Sequence, residues 1–294
     1  MLILVTLIGI TMIRPEHVQA VTSSDWNAVE QAMGRTGTLL PDGVFKFSMP
    51  RSDLNVTIGD VRVMPALALG SWAAFKNVDG MSMVMGDLVL TEAEVNPVME
   101  KLQQGGIEQT ALHNHLLGES PRVMYMHIAG RGDPVRMADA LHNALALTGT
   151  PTSAHAAPSS ANISMDTAML DATIGAKGKY NGGVYQFSIP RAEKIMDEGM
   201  EVPPSMGMAM PLNFQPLGNG KAAITGDFVL TGDEVNPVIR ALKDNGINVT
   251  AIHNHMINEK PRLFFLHFWA TDDPDKLARG LKAALDTTNI SRSG

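Results

Sequence analysis

Gly86-Asp87-Leu88-Val89-Leu90-Thr91, followed by Glu94-Val95-Asn96-Pro97-Val98, returns as Gly226-Asp227-Phe228-Val229-Leu230-Thr231, followed by Glu234-Val235-Asn236-Pro237-Val238. Every residue of the block has its counterpart 140 positions later. In each copy an apolar, β-branched run ends at a threonine with a glutamate three residues on. That is a strand entering a helix through a capping box. Pro97 and Pro237 lie six residues past those threonines. Proline there removes a ladder donor, so the spacing predicts one turn after Thr91, then a second start with Asn96 as cap and Pro97 as the first helical residue.

Outward from this block the duplication covers most of the chain. Val44-Phe45-Lys46-Phe47-Ser48-Met49-Pro50-Arg51 matches Val184-Tyr185-Gln186-Phe187-Ser188-Ile189-Pro190-Arg191 at the same offset. Residues 150–164 are rich in Ala, Ser, Thr and Pro, which is linker composition. The first repeat module is read as 25–149 and the second as 165–288. Each opens with a short helix (25–33, 166–174) closed by Gly34 or Gly175. In the first, strands are expected over 44–49, 56–64, 67–75 and 83–90. The helix after Thr91 ends at Gly105, its copy at Gly246. Two strands follow, 107–117 and 122–129. A last helix starts at Asp133-Pro134 or Asp273-Pro274, with Met137, Leu141 and Leu145, or Leu277, Leu281 and Leu285, at helical spacing. The fold class expected is α+β: two homologous modules packed about a pseudo-two-fold axis, each a mainly antiparallel sheet with a β-α-β-β-α core and helices on one face.

Composition narrows the function. The 294 residues are 45% apolar and 18% charged, with a net charge of −7 and no basic cluster. Nucleic acid is therefore not expected as a partner, since phosphate binding needs clustered Lys and Arg. There is no cysteine, which excludes thiolate catalysis, Cys-ligated metals, disulfides and lipid attachment through cysteine. Residues 2–13 form an apolar run and Val18-Gln19-Ala20 ends in small residues, so 1–20 reads as a signal peptide. No basic residue precedes the run. A periplasmic or secreted protein is expected, with no membrane span after signal removal.

The chemistry lies in the histidines. Thr110-Ala111-Leu112-His113-Asn114-His115 is followed by Glu119, Pro121, Arg122 and His127. Thr250-Ala251-Ile252-His253-Asn254-His255 is followed by Glu259, Pro261, Arg262 and His267. Six of the nine histidines sit in these two blocks. On a strand, residues two apart share a face roughly 7 Å apart, so His113 and His115 point together. A hairpin centred near 119 sets 115 against about 123, 113 against about 125, and His127 against 111, on the face of the other two. Each repeat would then carry three imidazoles with Glu119 or Glu259 at the rim, one site per repeat. Such a set suits a divalent transition metal, zinc first, with iron, manganese or copper as the other candidates. Glu119 and Glu259 are the candidates for a fourth ligand or general base. The histidines could instead serve metal-free acid/base chemistry or be half-buried structural residues. A cupin metal set has similar letters, but helices between the strands argue against a double-stranded β-helix.

Other residues are weaker candidates. Arg51, Arg122, Arg191 and Arg262 could bind an anionic small-molecule or envelope ligand, or be strand-end and turn charges. Asp87 and Asp227, beside glycines inside apolar strands, could orient a ligating imidazole or serve a turn. Met81, Met83, Met85 and Met206, Met208, Met210 could offer thioethers to Cu(I), but read better as adaptable core filler. His142 and His155 have no counterpart in the other repeat and read as surface residues.

The block from Gly86 to Pro97, with Leu112-His113-Asn114-His115-Leu116-Leu117-Gly118-Glu119-Ser120-Pro121-Arg122, resembles the LppY/LpqO family of exported bacterial proteins. The resemblance covers the chain after residue 20. It implies a secreted or cell-envelope protein with a duplicated module, and brings no reaction or catalytic residues. Some relatives are named as lipoproteins, and this chain has no cysteine to acylate. The functional expectation is an exported metal-binding protein. If it is an enzyme, metal-activated water attacking an ester, amide or phosphate bond is the most economical chemistry. The alternatives are a non-catalytic periplasmic module for metal or a small anion, and an envelope interaction protein with structural histidines.

Overall fold

The computed structural model describes residues 26–78, 80–152 and 165–291. The expected signal segment and most of the expected linker lie outside these residues. The first module runs α1 (Trp26–Met33), β1 (Thr38–Leu39), β2 (Phe45–Pro50), β3 (Thr57–Ile58), β4 (Val61–Arg62), α2 (Pro65–Ala68), β5 (Gly70–Val78), β6 (Met81–Thr91), α3 (Glu92–Gln104), β7 (Glu108–His113), β8 (Glu119–Ser120), β9 (Val123–Gly132) and α4 (Pro134–Leu145). The second runs α5 (Thr167–Ile174), β10 (Lys179–Asn181), β11 (Val184–Pro190), β12 (Ile195–Asp197), β13 (Met200–Val202), a 3-10 turn (Pro204–Met206), β14 (Ala209–Gly218), β15 (Lys221–Leu230), α6 (Gly232–Asp244), β16 (Asn248–His253), β17 (Glu259–Lys260), β18 (Phe264–Asp272) and α7 (Pro274–Leu285).

Each module is a six-stranded antiparallel sheet, ordered β1-β2-β5-β6-β9-β7 and β10-β11-β14-β15-β18-β16. One face carries the helices. Val95, Val98, Leu102 and Leu141 pack there against Leu88, Met126 and Ile128. The other face turns toward the second module, so β6 is buried along nearly its whole length. A strand covered on both sides reads as an unbroken apolar run, which is why residues 83–90 show no alternation.

The hairpin register is as the sequence suggested: His113 pairs with Tyr125 and Ala111 with His127. The pairing shifts between Gln109 and Ala111, and again between Val249 and Ala251. This frees Thr110 and Thr250 from the regular ladder.

Several boundaries differ from expectation. The helix after Thr91 is continuous from Glu92 with Pro97 inside it, because both halves of the capping box are made and fix the first turn. The carbonyl that Pro97 leaves without a donor belongs to Ala93, which is exposed to solvent. The span 56–64 is two short strands about a turn, with Gly59 at φ +55°. The span 67–75 begins as the helix α2, and its strand starts at Gly70. Strand β7 stops at His113, so His115 lies on the loop beyond it.

The modules are tied by reciprocal arms. Residues after β2 carry α2 onto β14 and β15 of the other sheet. There Asn213 donates to the Leu67 carbonyl at 3.0 Å and Gln186 to that of Ala66 at 2.7 Å. In return, Met206 and Met208 pack in one core with Ala74, Met83 and Met85. The methionines of both clusters are thus core filler apart from Met81, which is exposed. Among the described residues no helix is long and apolar enough to cross a membrane.

Candidate metal centre

The six histidines meet at the module interface. Ring centroids lie 3.4 Å apart for His113 and His253, 3.7 Å for His115 and His267, and 3.6 Å for His127 and His255. Each stacked pair joins the two modules, and exchange of modules converts the second pair into the third. The expectation of one site per repeat is therefore corrected: the two clusters form a single assembly. Outside it, Tyr125 stacks on His115 at 3.4 Å and Phe265 on His255 at 3.6 Å. The Tyr125 hydroxyl is held by the Ala68 carbonyl at 2.9 Å.

The strands fix these positions. His127 and His267 sit on the central strands β9 and β18, opposite Asp87 and Asp227 of β6 and β15. Asp87 Oδ2 lies 3.7 Å from His127 Nε2 and 3.9 Å from His115 Nε2. Asp227 stands 3.9 Å from both His255 Nε2 and His267 Nε2. Thr110 donates to the His255 carbonyl at 2.6 Å, and Thr250 to the His115 carbonyl at 2.5 Å, so each loop histidine is anchored by the opposite module.

All six Nε2 atoms are buried without a hydrogen-bond partner, as is one carboxylate oxygen each of Asp87 and Asp227. Leaving such an atom unpaired costs about 1–3 kcal/mol, so eight in one place favour a common partner that satisfies several of them at once. The other ring nitrogen explains which atom is offered. His267 Nδ1 lies 2.9 Å from the Gly226 carbonyl, so it carries the proton and Nε2 keeps its lone pair. Burial holds the imidazoles neutral: His113 falls to about 3, with His253 beside it adding to the effect, and His253 falls to about 4. The other four are pushed well below the usual histidine range, by burial first and neighbouring imidazoles second. Burial raises Asp87 to about 8 against the pull of Lys46. Neutral imidazoles whose ligand atoms lie within 4.8 Å of one another, with aspartates among them, are a transition-metal donor set. Candidate groups are His113, His115, His127 and His255; His113, His115, His253 and His267; and Asp227 with His255 and His267.

The carboxylates in this assembly are Asp87 and Asp227, in place of Glu119 and Glu259. Glu259 is buried and accepts from the Leu263 amide at 3.0 Å and from Arg262 at 3.2 Å. Glu119 pairs on β8 with Ile58 of β3. The arginines are likewise placed elsewhere. Arg51 is 1% exposed, and its five donors go to Asp53, Glu94 and the Val89 carbonyl. Arg191 repeats this with Glu193, Glu234 and the Val229 carbonyl. An anion could be bound there only by breaking those pairs. Arg122 and Arg262 are exposed, Arg262 beside Glu259. His142 is exposed, with Nδ1 against the Met33 carbonyl, and His155 lies outside the described residues.

A two-module α+β protein with one histidine–aspartate cluster between its halves is thus defined. The chain belongs to the family described as a Domain of Unknown Function (DUF1259), whose model matches it twice, over residues 27–147 and 168–287. Among solved structures it is similar to a trimeric bacterial microcompartment shell protein, PduB (15% identity over 84% of this chain and 87% of that one, TM-score 0.20). EtuB from Clostridium kluyveri gives 10% identity over 85% and 88%, TM-score 0.20. The ethanolamine utilization protein EutL from Leptotrichia buccalis gives 8% over 70% and 79%, TM-score 0.18. These likenesses are too slight to bear on function. No curated protein matches the chain.

Proposed function

We propose that the chain is an exported transition-metal protein, of the LppY/LpqO kind its motifs resemble, whose metal is held between the two modules. The observation that carries the reading is the convergence of six unpartnered Nε2 atoms from both repeats. Zinc is the metal of first choice for neutral imidazoles with carboxylates, followed by iron, manganese and copper. Burial of every donor atom and capture of Glu259 within its own turn favour holding the metal over processing a large substrate.

A hydrolytic reading keeps one observation in its favour. His113 and His253 are only half-buried, so the cluster lies nearest to solvent at that end, where a small movement of the two rings would admit water and a small ester or phosphate. Metal-activated water would then be the nucleophile. Metal analysis of protein purified without a histidine tag tests the main reading: bound metal is expected, and its loss in His113→Ala/His253→Ala. Folded wild-type protein that takes up none from zinc, iron, manganese or copper solutions would end it. Turnover on an ester and phosphate panel, strictly metal-dependent, would decide for hydrolysis.

A further inference from the structure

The cluster holds more donors than one ion takes. Six imidazoles and two carboxylates face one interface, whereas a tetrahedral ion uses four ligands and an octahedral one six. The donors also divide in space. His113, His115, His253 and His267 offer atoms mutually within 4.8 Å, and so do His113, His115, His127 and His255. Of these two sets, His253 and His267 belong only to the first and His127 and His255 only to the second; Asp227 joins them, its carboxylate lying in a third set with His255 and His267.

The carboxylates lie across this division. Asp87 Oδ2 faces His115 Nε2 at 3.9 Å and His127 Nε2 at 3.7 Å. Asp227 Oδ1 faces His267 Nε2 at 3.9 Å, while its Oδ2 faces His255 Nε2 at 3.9 Å. Each aspartate thus addresses one histidine of the His115–His267 stack and one of the His127–His255 stack. Those two stacks exchange under the pseudo-two-fold. Both aspartates are at least nine-tenths buried, and each has an oxygen with no partner.

We propose that the centre is dinuclear. One ion takes His253 and His267 from the second module and His115 from the first. The other takes His113 and His127 from the first and His255 from the second. Asp87 and Asp227 bridge them, as carboxylates do in two-metal sites with ions about 3.5–4 Å apart. The second histidine of each His-Asn-His therefore crosses to the ion of the opposite module, where the threonine bond to its carbonyl holds it. This inference rests on the proposed metal-binding function, and its failure is distinguishable from failure of that reading.

The experiment is stoichiometry and magnetism on the full chain, purified without a tag and loaded with Co(II) or Mn(II). Two ions per chain are expected, exchange-coupled by magnetic susceptibility or electron paramagnetic resonance. Asp87→Asn should weaken uptake of one ion by about 10–100-fold and reduce the coupling. His115→Gln should retain one ion, on His113, His127 and His255. Circular dichroism and urea unfolding of each variant separate a lost ligand from a lost fold, and the wild-type stoichiometry stands independently of the variants. A single ion per chain would overturn the dinuclear assignment while leaving a metal protein. Two ions without coupling would overturn the bridges. No metal at all would remove both this inference and the function beneath it.

Discussion

Thr110 and His255 belong to different modules, yet the hydroxyl of one donates to the carbonyl of the other at 2.6 Å. The exchanged contact, Thr250 to the His115 carbonyl, is made at 2.5 Å. Both threonines sit at register shifts in their strands. The irregularity thus has a use: it aims a hydroxyl across the interface and sets the loop histidine opposite. Thr110→Val/Thr250→Val should cost about 1 kcal/mol per bond in folding stability and weaken metal binding more than either single change. Isothermal titration with zinc beside urea unfolding would measure both; unchanged zinc affinity in the double variant would deny the threonines this role.

Arg51 binds Asp53 and Glu94 from inside the first module. Arg51→Met should destabilise by about 3 kcal/mol, since it strands partly buried carboxylates, without changing the metal content of the protein that folds. Chemical denaturation and metal analysis together check this. Loss of metal at full stability would return Arg51 to the functional residues.

Gly226 approaches Pro211 so closely that an added Cβ would lie 1.9 Å from its carbonyl oxygen. The Gly226 carbonyl also receives His267 Nδ1. Gly226→Ala should therefore cost about 3 kcal/mol or more through overpacking and disturb the cluster. A thermal midpoint within a degree of wild type would contradict the packing described.

The metal-free protein should lose stability in acid. His113 and His253 are depressed to about 3 and 4 from an unfolded value of 6.5. A depressed group contributes stability above the unfolded pKa and loses it as pH falls through the folded one. Asp87, raised to about 8, acts oppositely: its contribution is full in acid and is lost as pH rises through 8. Asp227, pushed well above the usual carboxylate range by burial and then by Asp87, acts in the same sense as Asp87. Six histidines outweigh these two aspartates below pH 6.5, so the urea midpoint with chelator present should be higher at pH 7 than at pH 5. Equal or greater stability at pH 5 would show that the imidazoles are not buried neutral.

Much of this was legible in the sequence, for physical reasons. The offset of 140 fixed the modules, helix periodicity placed α4 and α7, and a hairpin centred near residue 119 put His113 opposite Tyr125 and His127 opposite Ala111. What could not be read was the docking of one module on the other, because no local pattern encodes which sheet face meets which. The two histidine sets therefore read as separate sites. Nearness along the chain points to Glu119, whereas Asp87 reaches His127 from the neighbouring strand. The signal for Asp87 was present: an aspartate inside an otherwise apolar strand, repeated as Asp227, is costly to bury without a partner. Tyr125 and Phe265, which back His115 and His255, carried no signal beyond ordinary core composition.

The reciprocal arms bear on how the molecule comes apart. Each half lends α2, or the segment from Ile195 to Met208, as the lining of its neighbour's sheet. Withdrawing one half strips apolar surface from the other, so neither has an intact interior alone. A chain with two recognisable repeats should accordingly melt in one calorimetric step, as an obligate pair that happens to share a single polypeptide.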